Sequence, residues 1–267
     1  MAGSSQTTVW DDPAFAQAWN DTYGLAMERA PVRGGLIYPL LKSRINWDPT
    51  LRLADFGCGN GNLMRALQPM AFSRWFGFDS GSAILDTARP LQEADPRFVF
   101  DRVDIAGKMK GYPRLAQADH AISVFTLEEI PVSSMPTLFN NLAETVRERR
   151  GHVHIFTQHP AYALQQDLLA GERNTPNAKF AGHDGYFDTT PTTYNLSVLN
   201  QQNGVAARAE YHHKPLGLTL NGLMQSGLEL REMIEVPAGV TKLEQLQVHQ
   251  PKSGDVPRFL YLRLQAG

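Results

Sequence analysis

Between residues 51 and 158, short β-rich apolar runs alternate with helical patterns, and no other feature restricts the possible folds as tightly. Strands that recur with helices between them read as βαβ units, whose crossover connections build a parallel sheet. The runs are "LRLADFG" (51–57), "RWFGFDS" (74–80), "RFVFDRVD" (97–104), "ADHAISVF" (118–125) and "GHVHIFTQ" (151–158). The intervening segments predict helices near 62–69, 81–90 and 135–150. In the last of these, Leu138, Leu142 and Val146 recur at near-helical spacing, and Gly151 reads as its stop. With 267 residues and 42% hydrophobic content, the chain can bury one large core together with a modest subdomain.

The flanks read differently. Residues 1–50 hold helical patterns around 13–30 and 35–44, broken by "APVRGG", and form an expected helical cap ahead of a domain spanning 51–267. After the fifth run, "HPAYALQQDLLAGE" reads as a helix. The polar stretch 172–204 is too long for a structureless loop, so short strands or a lid are expected within an insertion over about 160–210. "GVAARAEYHH" then reads as a strand and "LGLTLNGLMQSG" as a helix ended by Gly227. "LELREMIEV" and "PRFLYLRLQ" read as the closing strands.

Charge excludes some partners. The 25 basic and 27 acidic residues nearly cancel, giving −2, with no run of five or six like charges. Nucleic acid is not expected as a partner, because phosphate affinity needs clustered Lys and Arg. Arg147, Arg149 and Arg150 read as the solvated end of a helix. No basic region followed by an apolar stretch opens the chain and no segment approaches bilayer length, so a cytoplasmic location without membrane partners is expected. Cys58 is the single cysteine, which rules out an internal disulfide and any multi-cysteine metal site. His159, His183, His212 and His213 lack close ligand spacing, so no metal is expected.

The glycine-rich loop "FGCGNGN" resolves into something other than a phosphate cradle. A dinucleotide fingerprint, G-x-G-x-x-G, would need a third glycine where Asn62 stands counting from Gly57, or where Met64 stands counting from Gly59. No Lys-Ser or Lys-Thr pair follows, so the loop is not a P-loop either. Gly57, Gly59 and Gly61 still permit close approach of backbone and ligand. Asp55, at the end of the first run, would repel a phosphate and suits a ligand with an ammonium group. Asp79 follows Gly57 by 22 residues, the distance at which an acid accepts both hydroxyls of a ribose. Aspartates at strand ends also commonly cap the following helix.

Taken together, "LADFGCGNGNL", "FGFDSGSAILDTAR", "RVDIAG" and "ADHAISVFTLEEIP" resemble the four successive motifs of the class I S-adenosylmethionine-dependent methyltransferases, and the resemblance extends over about residues 33–264. It implies a doubly wound, Rossmann-like α/β fold with a seven-stranded sheet of order 3-2-1-4-5-7-6 and the last strand antiparallel, an amino-terminal helical lid, and an insertion after strand five. It implies S-adenosylmethionine as cofactor and S-adenosylhomocysteine as product. Asp79 and Ser80 would meet the ribose, and Asp104 and the Ile105 N–H the adenine. Asp55, Gly57, Gly59, Gly61, Asn62 and Phe125 would surround the remainder, with Tyr23 or Arg33 at the methionine end.

Methyl transfer from a sulfonium is an in-line displacement, so alignment of the acceptor supplies much of the rate. The acceptor must also lose a proton if it arrives protonated. Phe125, Thr126, Leu127 and Glu128 stand where enzymes methylating nucleic-acid or glutamine nitrogens carry an Asn/Asp-Pro-Pro-Tyr/Phe tetrad, which favours a small-molecule acceptor. The acid–base candidates are His159, after strand five, His213, in "YHHKPL", and Glu128. His183, Tyr186, Tyr162 and His212 are acceptor-binding candidates. His159 reads equally as a structural residue capping a turn. The expected activity is methylation of O, N or C of a small metabolite, as in secondary-metabolite biosynthesis, by a monomer or homodimer. Alternatives are an enzyme of the same fold catalysing a rearrangement or elimination, and a non-catalytic cofactor-binding scaffold.

Overall fold

Each of the β-rich runs becomes a strand of one twisted sheet. The computed structural model describes residues 8–23, 31–109, 117–162, 185–199, 204–250 and 255–267. The strands are β1 (Arg52–Phe56), β2 (Arg74–Asp79), β3 (Phe98–Arg102), β4 (His120–Val124), β5 (His152–Gln158), β6 (Thr192–Leu199), β7 (Gly204–Tyr211), β8 (Leu228–Pro237) and β9 (Pro257–Ala266). The helices are α1 (Pro13–Tyr23), α2 (Tyr38–Arg44), α3 (Asn62–Leu67), α4 (Ser82–Asp86), α5 (Arg89–Ala94), α6 (Met135–Arg147), α7 (Leu216–Gln225) and α8 (Leu243–Val248).

Seven strands form the main sheet in the order β3-β2-β1-β4-β5-β9-β8, while β6 and β7 pair as a separate hairpin. Leaving the hairpin out of the count, this is 3-2-1-4-5-7-6. The first five strands run parallel, and β9 is antiparallel to both β5 and β8. Alternation along the strands divides the core into two layers. Leu53 and Trp75 face α2, α3 and α5 with Leu41, Met64, Leu67 and Leu91, whereas Phe56 and Phe78 face α6 and α7 with Leu138, Leu142 and Leu223. Both faces of the sheet are thereby covered, as a parallel sheet requires.

Local chemistry accounts for most boundaries. Pro13 opens α1 behind Asp12, whose Oδ1 accepts the N–H groups of Ala14 (2.8 Å) and Phe15 (3.2 Å). The expected helix at 81–90 is two helices, because Pro90, in the first turn of α5, has no N–H for a carbonyl of the preceding turn. "APVRGG" does not break the second amino-terminal helix. From residue 31 the backbone is helical, and Arg33–Ile37 forms a π-helical turn leading into α2. Gly35 is needed there because a Cβ would lie 2.6 Å from the Thr241 carbonyl oxygen. At the end of α6, Arg150 (φ 49°) takes the left-handed position, and Gly151 serves the close approach to the Asp119 backbone. The helix expected over "HPAYALQQDLLAGE" lies largely outside the described residues, and β6 supplies a strand within the polar stretch.

Away from the carboxyl ends of the strands, His120 Nδ1 and His154 Nε2 lie 2.9 Å apart, and His154 Nδ1 lies 2.9 Å from the Tyr261 hydroxyl. Burial holds His120 down to about 4 and His154 well below the usual imidazole range, so both rings are neutral at pH 7.

One buried polar residue connects this packing to the loop after β3. Asn141, on the buried face of α6, donates from Nδ2 to the carbonyls of Ile105 (2.8 Å) and Gly107 (2.7 Å). Asn141→Ala leaves two carbonyls without their donor and is expected to lower unfolding stability by about 1–3 kcal/mol. Urea denaturation reads this, and an unchanged midpoint would show that the loop is held by other contacts.

Candidate active site

The carboxyl ends of β1, β2 and β4 and the loop after β3 open into one cavity of about 610 Å³. Open α/β sheets bind ligands at this position, where strand order reverses about β1 and β4. The loop after β1 is tied down at its base, since the N–H groups of Gly57 and Cys58 both donate to the Phe78 carbonyl, at 2.8 and 3.1 Å. Gly57, Gly59 and Gly61 have φ of 77°, 52° and 73°, in the left-handed region. At Gly57 a Cβ would also overlap the Thr126 side chain, so the loop can lie against the end of β4 only with glycine there.

Three aspartates border this cavity. Asp79, ending β2, accepts the Gly59 N–H (2.9 Å) on Oδ2 and the Gly81 N–H (2.9 Å) on Oδ1. It thus braces the glycine loop while each oxygen retains a lone pair. Burial raises its carboxyl above the ordinary range, against the lowering by these N–H groups. Asp55 is only 2% exposed and is pushed up to about 8, first by burial and then by the nearby Asp79. Among the described residues no cation is ion-paired with it. Asp104 lies two residues beyond the end of β3, where its Oδ1 accepts the Ala106 N–H (3.0 Å), and the buried Ile105 follows it.

The amino-terminal segment closes one side. Trp10 Nε1 donates to Glu129 Oε2 (2.6 Å), and Asp11 Oδ1 accepts the Ser82 N–H and hydroxyl, both at 2.8 Å, with Arg102 Nη2 at 3.2 Å. Asn60 Nδ2 donates to Asn20 Oδ1 at 3.1 Å, joining α1 to the glycine loop. Trp10 and Trp19 meet edge to face, with centroids 5.1 Å apart, and both border the cavity as well as packing α1.

Opposite the aspartates, Phe125 ends β4 with φ 55°, a left-handed conformation unusual for a bulky residue. Its N–H donates to the Phe156 carbonyl at 2.8 Å, which holds the strained turn. The Arg33 guanidinium lies 5.6 Å from the ring centroids of both Trp19 and Phe125.

The structure therefore brings to the cavity Arg33, Asp55, Gly57, Gly59, Asn62, Asp79, Ser80, Asp104, Ile105, Phe125 and Glu128. Gly61 instead starts α3, close against Phe100. Several histidine and tyrosine candidates are engaged elsewhere. His159 lies beside the cavity rather than on its wall, with Nδ1 accepting the Ala161 N–H (3.1 Å) and Nε2 facing Glu235 Oε1 (2.9 Å). Its Nδ1 thereby takes a backbone N–H of the turn after β5. His213 directs Nε2 to the Tyr186 carbonyl (2.8 Å), and the Tyr186 hydroxyl accepts the Leu216 N–H at the start of α7 (2.8 Å). His212 sits 3.4 Å from Glu210 Oε2, and Tyr162 lies under Arg258 at 5.5 Å. None of these four borders the cavity. His183 and the Tyr23 side chain lie outside the described residues.

Glu128 joins the ends of two strands, its Oε1 accepting the Thr157 hydroxyl (2.9 Å) and the Gln158 N–H (2.6 Å). Behind it the buried Lys214 donates to the carbonyls of Leu127 and His212, and burial brings its ammonium down to about 7. Among the cavity residues that escaped the sequence reading, two carry ionisable side chains that matter to the site. Tyr38, whose hydroxyl burial raises to about 12, stands near Asp55 and Arg33. Arg258 opens β9, and an antiparallel last strand begins where the parallel strands end, a signal already present in the expected topology.

No protein-family model and no curated protein matches the sequence. Solved structures do. A methyltransferase dependent on S-adenosylmethionine from Mesorhizobium loti superposes with a TM-score of 0.57 at 19% identity, over 88% of this chain and 99% of that one. The CcbJ methyltransferase of Streptomyces caelestis gives 0.63 at 14% identity, over 97% and 98%. The [4+2]-cyclase SpnF gives 0.55 at 16% identity, over 86% and 79%. The fold is that of the class I S-adenosylmethionine-dependent methyltransferases. In this methyltransferase fold the glycine loop and the strand-end aspartates occupy one cavity, and among the described residues no cluster of His, Cys, Asp and Glu able to hold a metal is found. No described helix is long and apolar enough to cross a membrane.

The Asp55 carboxyl yields a pH-dependent prediction. Folded protein keeps its proton up to about pH 8, whereas an unfolded chain loses it near ~3.9. Between these values the folded state binds more protons, so this group lowers stability progressively as pH rises. Asp55→Asn should raise the melting temperature of ligand-free protein more at pH 8 than at pH 5. An equal increment at both values would contradict a raised carboxyl.

Proposed function

We propose that this protein is an S-adenosylmethionine-dependent methyltransferase acting on a small molecule. The observation that carries the reading is the convergence of Asp55, Asp79 and Asp104, from consecutive strand ends, on one cavity beside a left-handed glycine loop. Their chemistry fits the cofactor. Asp79, with a lone pair remaining on each oxygen, suits the vicinal hydroxyls of a ribose. Asp104 and the Ile105 N–H suit the adenine edge. Asp55 gains a counterion when an ammonium enters, and Arg33 is the partner for the amino-acid carboxylate. Gly57, Gly59, Asn62, Ser80 and Phe125 enclose the rest, with Gly61 supporting the loop from the start of α3 and Tyr23 kept, from the sequence alone, as a candidate for the methionine end.

Bound S-adenosylmethionine supplies an electrophilic methyl group on a sulfonium. The chain's own residues hold the acceptor in line and exclude water, the latter helped by Trp10 and Trp19 on the cavity lining. Glu128 is our choice for the group that takes a proton from the acceptor. Supporting it are its position on the cavity wall and an Oε2 that makes no hydrogen bond among the described residues. His159 and His213 are better read as positioning residues, with Tyr186, Tyr162 and His212 around them, and His183 is kept, from the sequence alone, as an acceptor-binding candidate. The likeness to a [4+2]-cyclase supports a second reading, in which the same cavity holds the cofactor while a non-methyl reaction proceeds.

Asp79→Asn should weaken S-adenosylhomocysteine binding on the order of 10- to 100-fold, the loss of one or two hydrogen bonds to a charged group. Calorimetric titration reads this, with a melting curve to verify folding, and unchanged affinity would overturn the ribose assignment. Incubation with methyl-labelled cofactor and an acceptor library separates the two reactions. Label transfer supports the first, and acceptor turnover without label transfer supports the second.

A further inference from the structure

Two arginines line the cavity, Arg33 and Arg258, and only Arg258 has no function in the account so far. Arg33, Phe125, Phe259 and Arg258 form a ladder: Arg33 lies 5.6 Å from the Phe125 centroid, the two rings lie 5.6 Å apart, and Arg258 lies 4.9 Å from the Phe259 centroid. Tyr162 supports Arg258 from another side at 5.5 Å. A guanidinium stacked on aromatic faces keeps its N–H edges available for planar, bidentate contact with an oxyanion.

Neither arginine is spent on a carboxylate. Arg44 and Arg263 both pair with Glu232, and Arg97 pairs with Asp95, whereas Arg33 and Arg258 have no ion pair among the described residues. Neighbouring acids have other partners. His159 Nε2 engages Glu235, the Thr157 hydroxyl and Gln158 N–H engage Glu128, and Trp10 Nε1 engages Glu129. Sheet order separates the two cations. The aspartates occupy the β3-β2-β1 half, Arg33 contacts the β4 end through Phe125, and Arg258 belongs to the far half, β4-β5-β9. A cofactor lying across the aspartates and ending at Arg33 leaves Arg258 facing the second ligand.

We propose that Arg258 is a specificity-determining anchor for an anionic group, so that the acceptor is a small molecule bearing a carboxylate or phosphate. This rests on the cofactor reading above for which ligand Arg33 takes. The oxyanion lies on the Arg258 edge, its attached carbon skeleton runs along Phe259 and Phe125, and the nucleophilic atom is directed toward the aspartate half. The Arg258 side chain leaves the sheet register untouched, because β9 is held there by its backbone carbonyl, which accepts the His159 N–H at 2.9 Å.

The test uses benzoate, phenyl phosphate and the neutral isostere benzamide as probes, titrated calorimetrically into the full chain saturated with S-adenosylhomocysteine. At least one anion should bind ten times or more tighter than benzamide. Arg258→Gln should erase that preference, and Arg258→Lys should retain part of it. Whichever anion binds tighter identifies the oxyanion class. No saturable anion binding, no preference over benzamide, or a preference that survives Arg258→Gln in a variant with the parent's melting temperature overturns the proposal. Failure of S-adenosylhomocysteine to bind overturns the cofactor reading alone, and the Arg258-dependent anion preference is then measured on cofactor-free protein.

Discussion

Carboxylates gathered at the ends of parallel strands are electrostatically unfavourable, and the rest of the site is organised around that fact. Asp55 and Asp79 lie at the ends of adjacent strands, burial raises the proton affinity of both, and Asp79 raises that of Asp55 further. A fold that only needed stability would not retain such a pair, since neutral polar residues would cap the same turns. The arrangement gains its counterpart when a ligand brings a cationic group and hydroxyl donors together, as an aminoacyl sulfonium nucleoside does. The glycine loop follows from the same constraint. Its left-handed backbone aims the Gly59 N–H at Asp79 and leaves space where side chains would block a ligand.

An uneven spread of charge across one cavity orients a reaction as well as a ligand. The three aspartates lie toward β1–β3, while Glu128, Glu129 and the guanidiniums stacked on Phe125 and Phe259 lie toward β4 and β9. The amino-terminal segment bridges the two halves. Asp11 is bound to Ser82 and Arg102 on the aspartate side, and Trp10 to Glu129 on the other, so the covering wall is fastened at both edges. Asn141 extends the same logic into the core, fixing the loop that carries Asp104 and Ile105 from the helix beneath it.

What the sequence revealed and what it concealed divide along physical lines. The aspartates at strand ends were legible because short motifs carry them, an acid after an apolar run beside a glycine loop, whereas strand order and the antiparallel last strand came only through the family resemblance of those motifs. The histidines were not legible, because what an imidazole does depends on partners distant in sequence. His159 meets Glu235 on β8, and His213 meets Tyr186 in the preceding insertion. The proline that divides α4 from α5 was readable in principle, while the π-helical turn at Arg33 depends on the packing of Gly35 against Thr241. Arg258 looked like an ordinary charge beginning a strand. Only the reversal of β9 in the sheet brings that beginning to the cavity.

A crystal structure of the complex with S-adenosylhomocysteine tests the central claim most directly. The account predicts the ribose hydroxyls within hydrogen-bonding distance of Asp79, the adenine beside Asp104 and Ile105, and the ammonium directed toward Asp55. A nucleoside bound instead in the β4–β9 half, or a ribose resting on Glu128 or Glu129, would contradict it.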